Sequence, residues 1–127
     1  MKIQTGIDII EVERIQEAIE KGGDHFKNRI YTEQEIAYCE SKKKTKYQHY
    51  AARFAAKEAV YKAISNLISD RSDALWKQIE VEQDENGRPW IQKKKIAKIE
   101  LEGIDISLSH LQGLAVASVV VMVKEKE

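Results

Sequence analysis

The chain has one cysteine, Cys39, so no disulfide can close within it; that suits a reducing compartment. It also lacks net charge, because 21 Lys and Arg balance 21 Asp and Glu. This balance argues against a general nucleic-acid binder and leaves room only for local basic patches. No apolar run approaches the ~18 residues needed to cross a membrane. The opening MKIQTGID has no long apolar stretch before a cleavage site, so no secretory signal is expected. These absences together point to the cytoplasm. There is no internal repeat, low-complexity tract or linker, and a single domain spanning 1–127 is expected. HExxH, Cys/His zinc spacing, a Walker loop and GxSxG are all missing, so chemistry must be sought in less familiar groupings.

What is present is a globular composition, with 43% hydrophobic and 33% charged residues in 127, enough for a real core without staples. Ile3, Thr5, Ile7 and Ile9 alternate with Gln4, Gly6, Asp8 and Ile10, which predicts a first strand. Ile7-Asp8-Ile9-Ile10 reads as buried, with a carboxylate in its middle. Val12, Ile15 and Ile19 fall at helical spacing, and Gly22-Gly23 supplies a stop. Asp24 opens a short helical piece through Arg29. Thr32 with Glu35 is a capping box for a helix through Cys39. A basic loop, Lys42 to Lys46, precedes a long Ala-rich helix from Tyr47 to about Leu67. After a loop at Ser69–Asp73, Ile79 to Glu82 reads as a strand. Asp84 to Arg88 reads as a hairpin turn and Pro89-Trp90-Ile91 as its return. Ile104 to Leu108 and Leu114 to Val123 read as further strands, the run Val116 to Val123 as a buried one, joined by a turn at Gly113. Strands and helices in this mixed order predict an α+β fold, a small mainly antiparallel sheet with one long helix.

Three groupings carry possible chemistry. Asp8 shares a strand face with Gln4 and Gly6, and Gly6 leaves space beside the carboxylate. Taken alone, Asp8 fits a simple pairing with a lysine. In Arg53-Phe54-Ala55-Ala56-Lys57-Glu58-Ala59-Val60-Tyr61-Lys62-Ala63, one apolar face is formed by Ala55, Ala56, Ala59, Val60, Ala63 and Ile64. Glu58 and Lys62 lie opposite it, four residues apart, and can form a solvated pair worth ~0.2–0.5 kcal/mol. The alternative joins Asp8 and Glu58 on one divalent cation, with Lys62 as a point charge for phosphate. The third grouping is Ser107-Leu108-Ser109-His110 at a strand end, where His110 is either a polar turn residue or a functional imidazole.

These pieces, in this order, resemble the holo-acyl-carrier-protein synthases, the short class of 4′-phosphopantetheinyl transferases. Gly6-Ile7-Asp8-Ile9, Glu11-Val12 and Arg14-Ile15 resemble the family's opening; Phe26, Arg29, Tyr31-Thr32 and Glu35 resemble its next segment. Arg53 to Ala59 with Lys62-Ala63 resembles its central motif; Asn86-Gly87-Arg88-Pro89 and Ser107 to His110 complete it. The resemblance implies transfer of phosphopantetheine from coenzyme A to a serine of apo-acyl carrier protein in fatty acid biosynthesis. Adenosine 3′,5′-bisphosphate would leave. It implies Mg²⁺ on Asp8 and Glu58, and Lys62 on the diphosphate. Lys44, Lys46, Arg53, His110 and the Asn86, Gly87, Pro89 turn would hold the nucleotide end. It further implies a homotrimer with active sites at subunit interfaces. Arg14, Lys21 and Phe26 would meet the carrier protein. Two departures stand out. Gly22-Gly23-Asp24 replaces residues that are commonly basic, and Ile64-Ser65-Asn66-Leu67 stands where the family usually has a glycine near the phosphates. A binding module without catalysis is the rival reading; it does not require the full Asp8, Glu58 and Lys62 set.

Overall fold

The computed structural model describes residues 1–69, 71–92 and 96–124. Asp70, within the loop expected at Ser69–Asp73, lies outside the described residues. The chain begins with strand β1 (Lys2–Glu11) and helix α1 (Val12–Ile30), followed by α2 (Glu33–Ser41). A 3₁₀ turn at Lys43–Thr45 leads into the long α3 (Lys46–Ile64), which ends in a second 3₁₀ turn, Ser65–Leu67. A short α4 (Ala74–Gln78) follows, then β2 (Val81–Gln83), β3 (Pro89–Ile91), β4 (Leu101–His110) and β5 (Leu114–Val123). The predicted α+β class is observed. The main sheet is antiparallel in the order β1-β5-β4, and β2 and β3 form a separate hairpin.

Local sequence explains most element ends. Gly23 interrupts α1 with φ 56° and ψ −140°, a conformation that a side chain would resist, so the helix kinks there rather than stopping. Thr32 and Glu35 form the reciprocal cap of α2. The β2–β3 turn closes on Asp84, whose carboxylate accepts from the Asn86 and Arg88 amides, and Gly87 has φ 80°. α4 was not anticipated, because its five residues are too few for a helical period to declare itself.

The sheet is covered on one face only. α3 lies across β1 and β5 with Ala55, Ala56, Ala59, Val60, Ala63 and Ile64 buried. Against the alternation of β1, the inward row is Gln4, Gly6, Asp8 and Ile10. Ile3, Ile7 and Ile9 point outward and are 62%, 63% and 63% exposed. This corrects the expectation of a buried β1. A helix can approach this closely only over a residue without a side chain, so the Gly6 row takes the inside. β5 is likewise buried on one side, through Ala115, Ala117, Val119 and Val121, while Leu114 and Val120 remain exposed.

Gly6 is therefore a contact point between strand and helix. A Cβ there would overlap the Ala59 carbonyl oxygen and come within 2.9 Å of the Ala63 amide nitrogen, both backbone atoms. Gly6→Ala is expected to destabilise the protein by about 1–3 kcal/mol, measured by urea unfolding. An unchanged midpoint would contradict this packing.

A second tie runs through the helices. Lys57 and Glu35 are fully buried and 2.8 Å apart. Lys57 Nζ also donates to the carbonyls of Trp76 (2.7 Å) and Ile79 (2.6 Å), and Glu35 accepts from the Val81 amide (2.9 Å). α2, α3, α4 and β2 thus meet at one ion pair. Burial lowers the Lys57 pKa, and the Glu35 charge opposes that shift.

Candidate active site

On α3, Phe54, Glu58 and Lys62 recur every four residues and share one helical face. That face meets the inward row of β1. Gln4 Nε2 donates to the Ala63 carbonyl at 2.7 Å, fixing the strand against the end of α3. Lys62 Nζ donates to Asp8 Oδ1 at 2.9 Å and to the Ile7 carbonyl at 3.0 Å. The Asp8 carboxylate, 15% exposed, is thus paired with a lysine, and Lys62 turns toward β1. Glu58 is instead gripped by Arg71, from the segment before α4.

Asp8 and Glu58 line one cavity of about 500 Å³, together with Ile9, Ile10, Glu11, Arg14, Phe54 and Leu114; Glu11 is turned to Arg14, 3.7 Å away. Two carboxylates opening into one cavity form an all-oxygen donor set. Among the described residues no group of three or more His, Cys, Asp or Glu could hold a metal. Among the described residues Asp8 and Glu58 thus supply two ligands here, which fits Mg²⁺, whose other positions go to water and phosphate oxygens. Transition metals held by nitrogen or sulfur find no matching donors here.

The residues expected at the nucleotide end gather elsewhere. His110, at the end of β4, places Nδ1 2.9 Å from Gln48 Oε1. With the amide oxygen as acceptor, Nδ1 is the donor of this contact. The His110 ring meets His49 edge-on at 5.1 Å, and His49 meets Tyr38 at 5.6 Å. Arg53 lies 4.1 Å over the Tyr38 ring and Lys42 lies 4.8 Å over it. Arg53 is 1% exposed, donates to Gln83, and its Nε has no hydrogen-bond partner among the described residues. Lys44 lines a separate groove with Glu13, Glu17 and Tyr47, while Lys46 pairs with Glu40 at 3.3 Å. Asn86 and Gly87 are exposed at the hairpin tip, with Pro89 opening β3. None of these residues lines the Asp8 and Glu58 cavity. On α1, Arg14 is largely exposed and lies 3.7 Å from Glu11. Lys21 is exposed, and Phe26 is partly buried against the Val12, Ile15 and Ile19 cluster.

Gln48, His49 and Arg71 escaped the sequence reading. Gln48 and His49 carry no spacing signal of their own; only the fold of β4 beside α3 brings them to His110. Burial, then the charges of His110, Arg53 and Lys42, lower the His49 pKa from 6.5 to about 4. The unfolded chain therefore takes up this proton first as pH falls. The contribution of neutral His49 to stability is complete above about pH 6.5 and is lost toward pH 4. Urea midpoints should fall across that window, and His49→Phe should remove part of the fall. An equal slope in the variant would contradict this role.

Comparison with known proteins supplies the family. A model of the 4′-phosphopantetheinyl transferase superfamily matches residues 4–119. The chain belongs to that superfamily. A holo-[acyl-carrier-protein] synthase of Ruminiclostridium cellulolyticum is 46% identical over 126 residues, covering 95% of this chain and 92% of the relative. Among solved structures, the holo-(acyl-carrier-protein) synthase of Bacillus anthracis, in complex with CoA (3′,5′-ADP), superposes with a TM-score of 0.73. Its identity is 33%, with 95% of this chain and 96% of that one covered. The Helicobacter pylori holo-[acyl-carrier-protein] synthase in complex with coenzyme A gives 0.74 at 28% identity, covering 92% of this chain and 98% of that one. The chain thus matches nearly the whole length of these two solved structures, and Asp8, Glu58 and Lys62 sit within the segment that the superfamily model matches.

Proposed function

We propose that the protein is a holo-[acyl-carrier-protein] synthase. It moves 4′-phosphopantetheine from coenzyme A to a serine of apo-acyl carrier protein, in the cytoplasm and for fatty acid biosynthesis. The observation that carries this reading is the convergence of Asp8 on β1 with Glu58 and Lys62 on α3, in a chain of this superfamily.

The reaction displaces the nucleotide at a diphosphate. The serine oxygen bonds to the β-phosphorus, the bond from that phosphorus to the bridging oxygen breaks, and adenosine 3′,5′-bisphosphate leaves. Mg²⁺ bound to Asp8 and Glu58 would neutralise charge that develops on the diphosphate oxygens. Lys62 lies one helical turn beyond Glu58 and reaches Asp8, so it can exchange that carboxylate for a phosphate oxygen. Glu58 or a water accepts the serine proton.

The active molecule on this reading is a homotrimer with the site at subunit interfaces. Two features support it. The outward face of the sheet carries Ile3, Ile7, Ile9, Leu114 and Val120, an apolar surface suited to burial against further copies of the chain. The nucleotide-end residues also lie outside the carboxylate cavity, so a complete site needs groups from a neighbour. Arg14, on the cavity wall, is placed to meet an incoming carrier protein, with Lys21 and Phe26 further along α1. Chromatography of the product mixture tests the function. With coenzyme A, apo-carrier protein and Mg²⁺, one adenosine 3′,5′-bisphosphate should appear per carrier consumed, and EDTA should stop it. Coenzyme A binding without nucleotide release would instead favour a binding module.

A further inference from the structure

A second cation, Arg71, reaches the site. Arg71 donates from both terminal nitrogens to Glu58: Nη1 to Oε2 at 3.3 Å, and Nη2 to Oε1. Its guanidinium carbon lies 4.2 Å from the Tyr61 ring centroid and 4.4 Å from that of Trp76. Trp76 in turn stacks on Phe54, a wall of the carboxylate cavity, at 5.2 Å. The arginine is therefore held by its planar faces while its edge grips the carboxylate. A forked, two-point grip of this kind is specific to arginine. The Arg71 and Glu58 side chains are only 29% and 18% exposed, so solvent screens the pair weakly.

The two carboxylates proposed as metal ligands are consequently each paired with a cation of the same chain, Asp8 with Lys62 and Glu58 with Arg71. Two negative and two positive charges cancel. A divalent cation arriving alone must loosen both pairs and then sit beside two displaced cations with no new partners. A diphosphate arriving with it changes the balance, because its oxygens can receive Lys62 and Arg71 as they leave the carboxylates. Arg71 is the harder of the two to displace, since the rings of Tyr61 and Trp76 hold it in place.

We propose that Arg71 is a positioning residue that makes divalent-cation binding at Glu58 conditional on the diphosphate of the substrate. This inference rests on Asp8 and Glu58 being the metal ligands. It assigns a task to Arg71, which precedes α4. Because coupling between two ligands is reciprocal, the cation must tighten diphosphate binding by the same factor.

Free Mn²⁺, followed by its electron paramagnetic resonance signal, reads this directly on the full chain without turnover. In the wild type, coenzyme A should tighten Mn²⁺ binding by at least about 10-fold, after subtraction of Mn²⁺ held by coenzyme A itself. Arg71→Gln should bind Mn²⁺ alone at least about 10-fold tighter than the wild type does, and should lose most of the tightening by coenzyme A. Arg71→Lys keeps the charge without the fork and should fall between them; it carries the test if the glutamine variant does not fold. Equal Mn²⁺ affinity and equal coupling in wild type and variants would overturn the role of Arg71 while leaving the metal site intact. Absence of bound Mn²⁺ in every variant, even with coenzyme A, would overturn the metal assignment of Asp8 and Glu58, and this inference with it.

Discussion

Asp8→Asn should lower the rate of phosphopantetheine transfer by about 10³-fold or more while leaving the fold nearly as stable. The two halves of this expectation have different sources. The rate depends on the carboxylate because it faces Glu58 across the β1–α3 packing at the cavity, and an amide is a poor ligand for a hard divalent cation. Stability depends on it much less. Its partner Lys62 is 51% exposed, so the Asp8–Lys62 pair is worth at most about 1 kcal/mol. Asparagine is also close in size, so the β1–α3 packing around Gly6 is kept. Steady-state rates at saturating coenzyme A and carrier protein, with thermal melts of the same samples, separate the two effects. A variant within tenfold of wild-type turnover would remove Asp8 from the chemistry.

Lys57→Met should cost about 3–5 kcal/mol, because it leaves the Glu35 carboxylate buried without a counter-charge. For a chain of this size that corresponds to a fall in melting temperature of about 10–20 °C. The consequence should reach the active site. Lys57 is adjacent to Glu58 on α3 and anchors that helix to the Trp76 and Ile79 carbonyls. Trp76 also backs both Phe54 and Arg71. Loosening α4 should therefore disturb the residues that orient Glu58. The double variant Lys57→Met with Glu35→Gln removes both charges, while the amide can still accept from the Val81 amide. It should recover part of the loss. Simple addition of the two single losses would contradict a direct Glu35–Lys57 coupling.

Much of this arrangement was legible in the sequence, for physical reasons that differ from element to element. The apolar face of α3 declared itself because Ala55, Ala59 and Ala63 follow the helical period. The α2 cap and the Asp84–Arg88 turn were legible because their hydrogen bonds are local. β1 was read from the alternation over Ile3 to Ile10, close to its observed Lys2–Glu11, but its run Ile7 to Ile10 was read as buried and only one row of it turns inward. Alternation reports which residues share a face, and the closer packing on Gly6 decided which face met the helix. Asp8 and Glu58 lie fifty residues apart and share a cavity only because β1 and α3 pack together. Arg71, His49 and Gln48 lay beyond reach: each depends on a tertiary neighbour, and none repeats with a period that marks it. Lys57 was hidden in another way, since a lysine inside a helix motif gives no sign of being fully buried until its acceptors are seen.

The most direct test of the central claim is the intact mass of an apo-acyl carrier protein incubated with this enzyme, coenzyme A and Mg²⁺. The carrier should gain the mass of one phosphopantetheine at a single serine, and the gain should vanish with EDTA or with Asp8→Asn. An unchanged mass across several apo-carrier proteins, with the folded wild-type chain and Mg²⁺ present, would contradict the account.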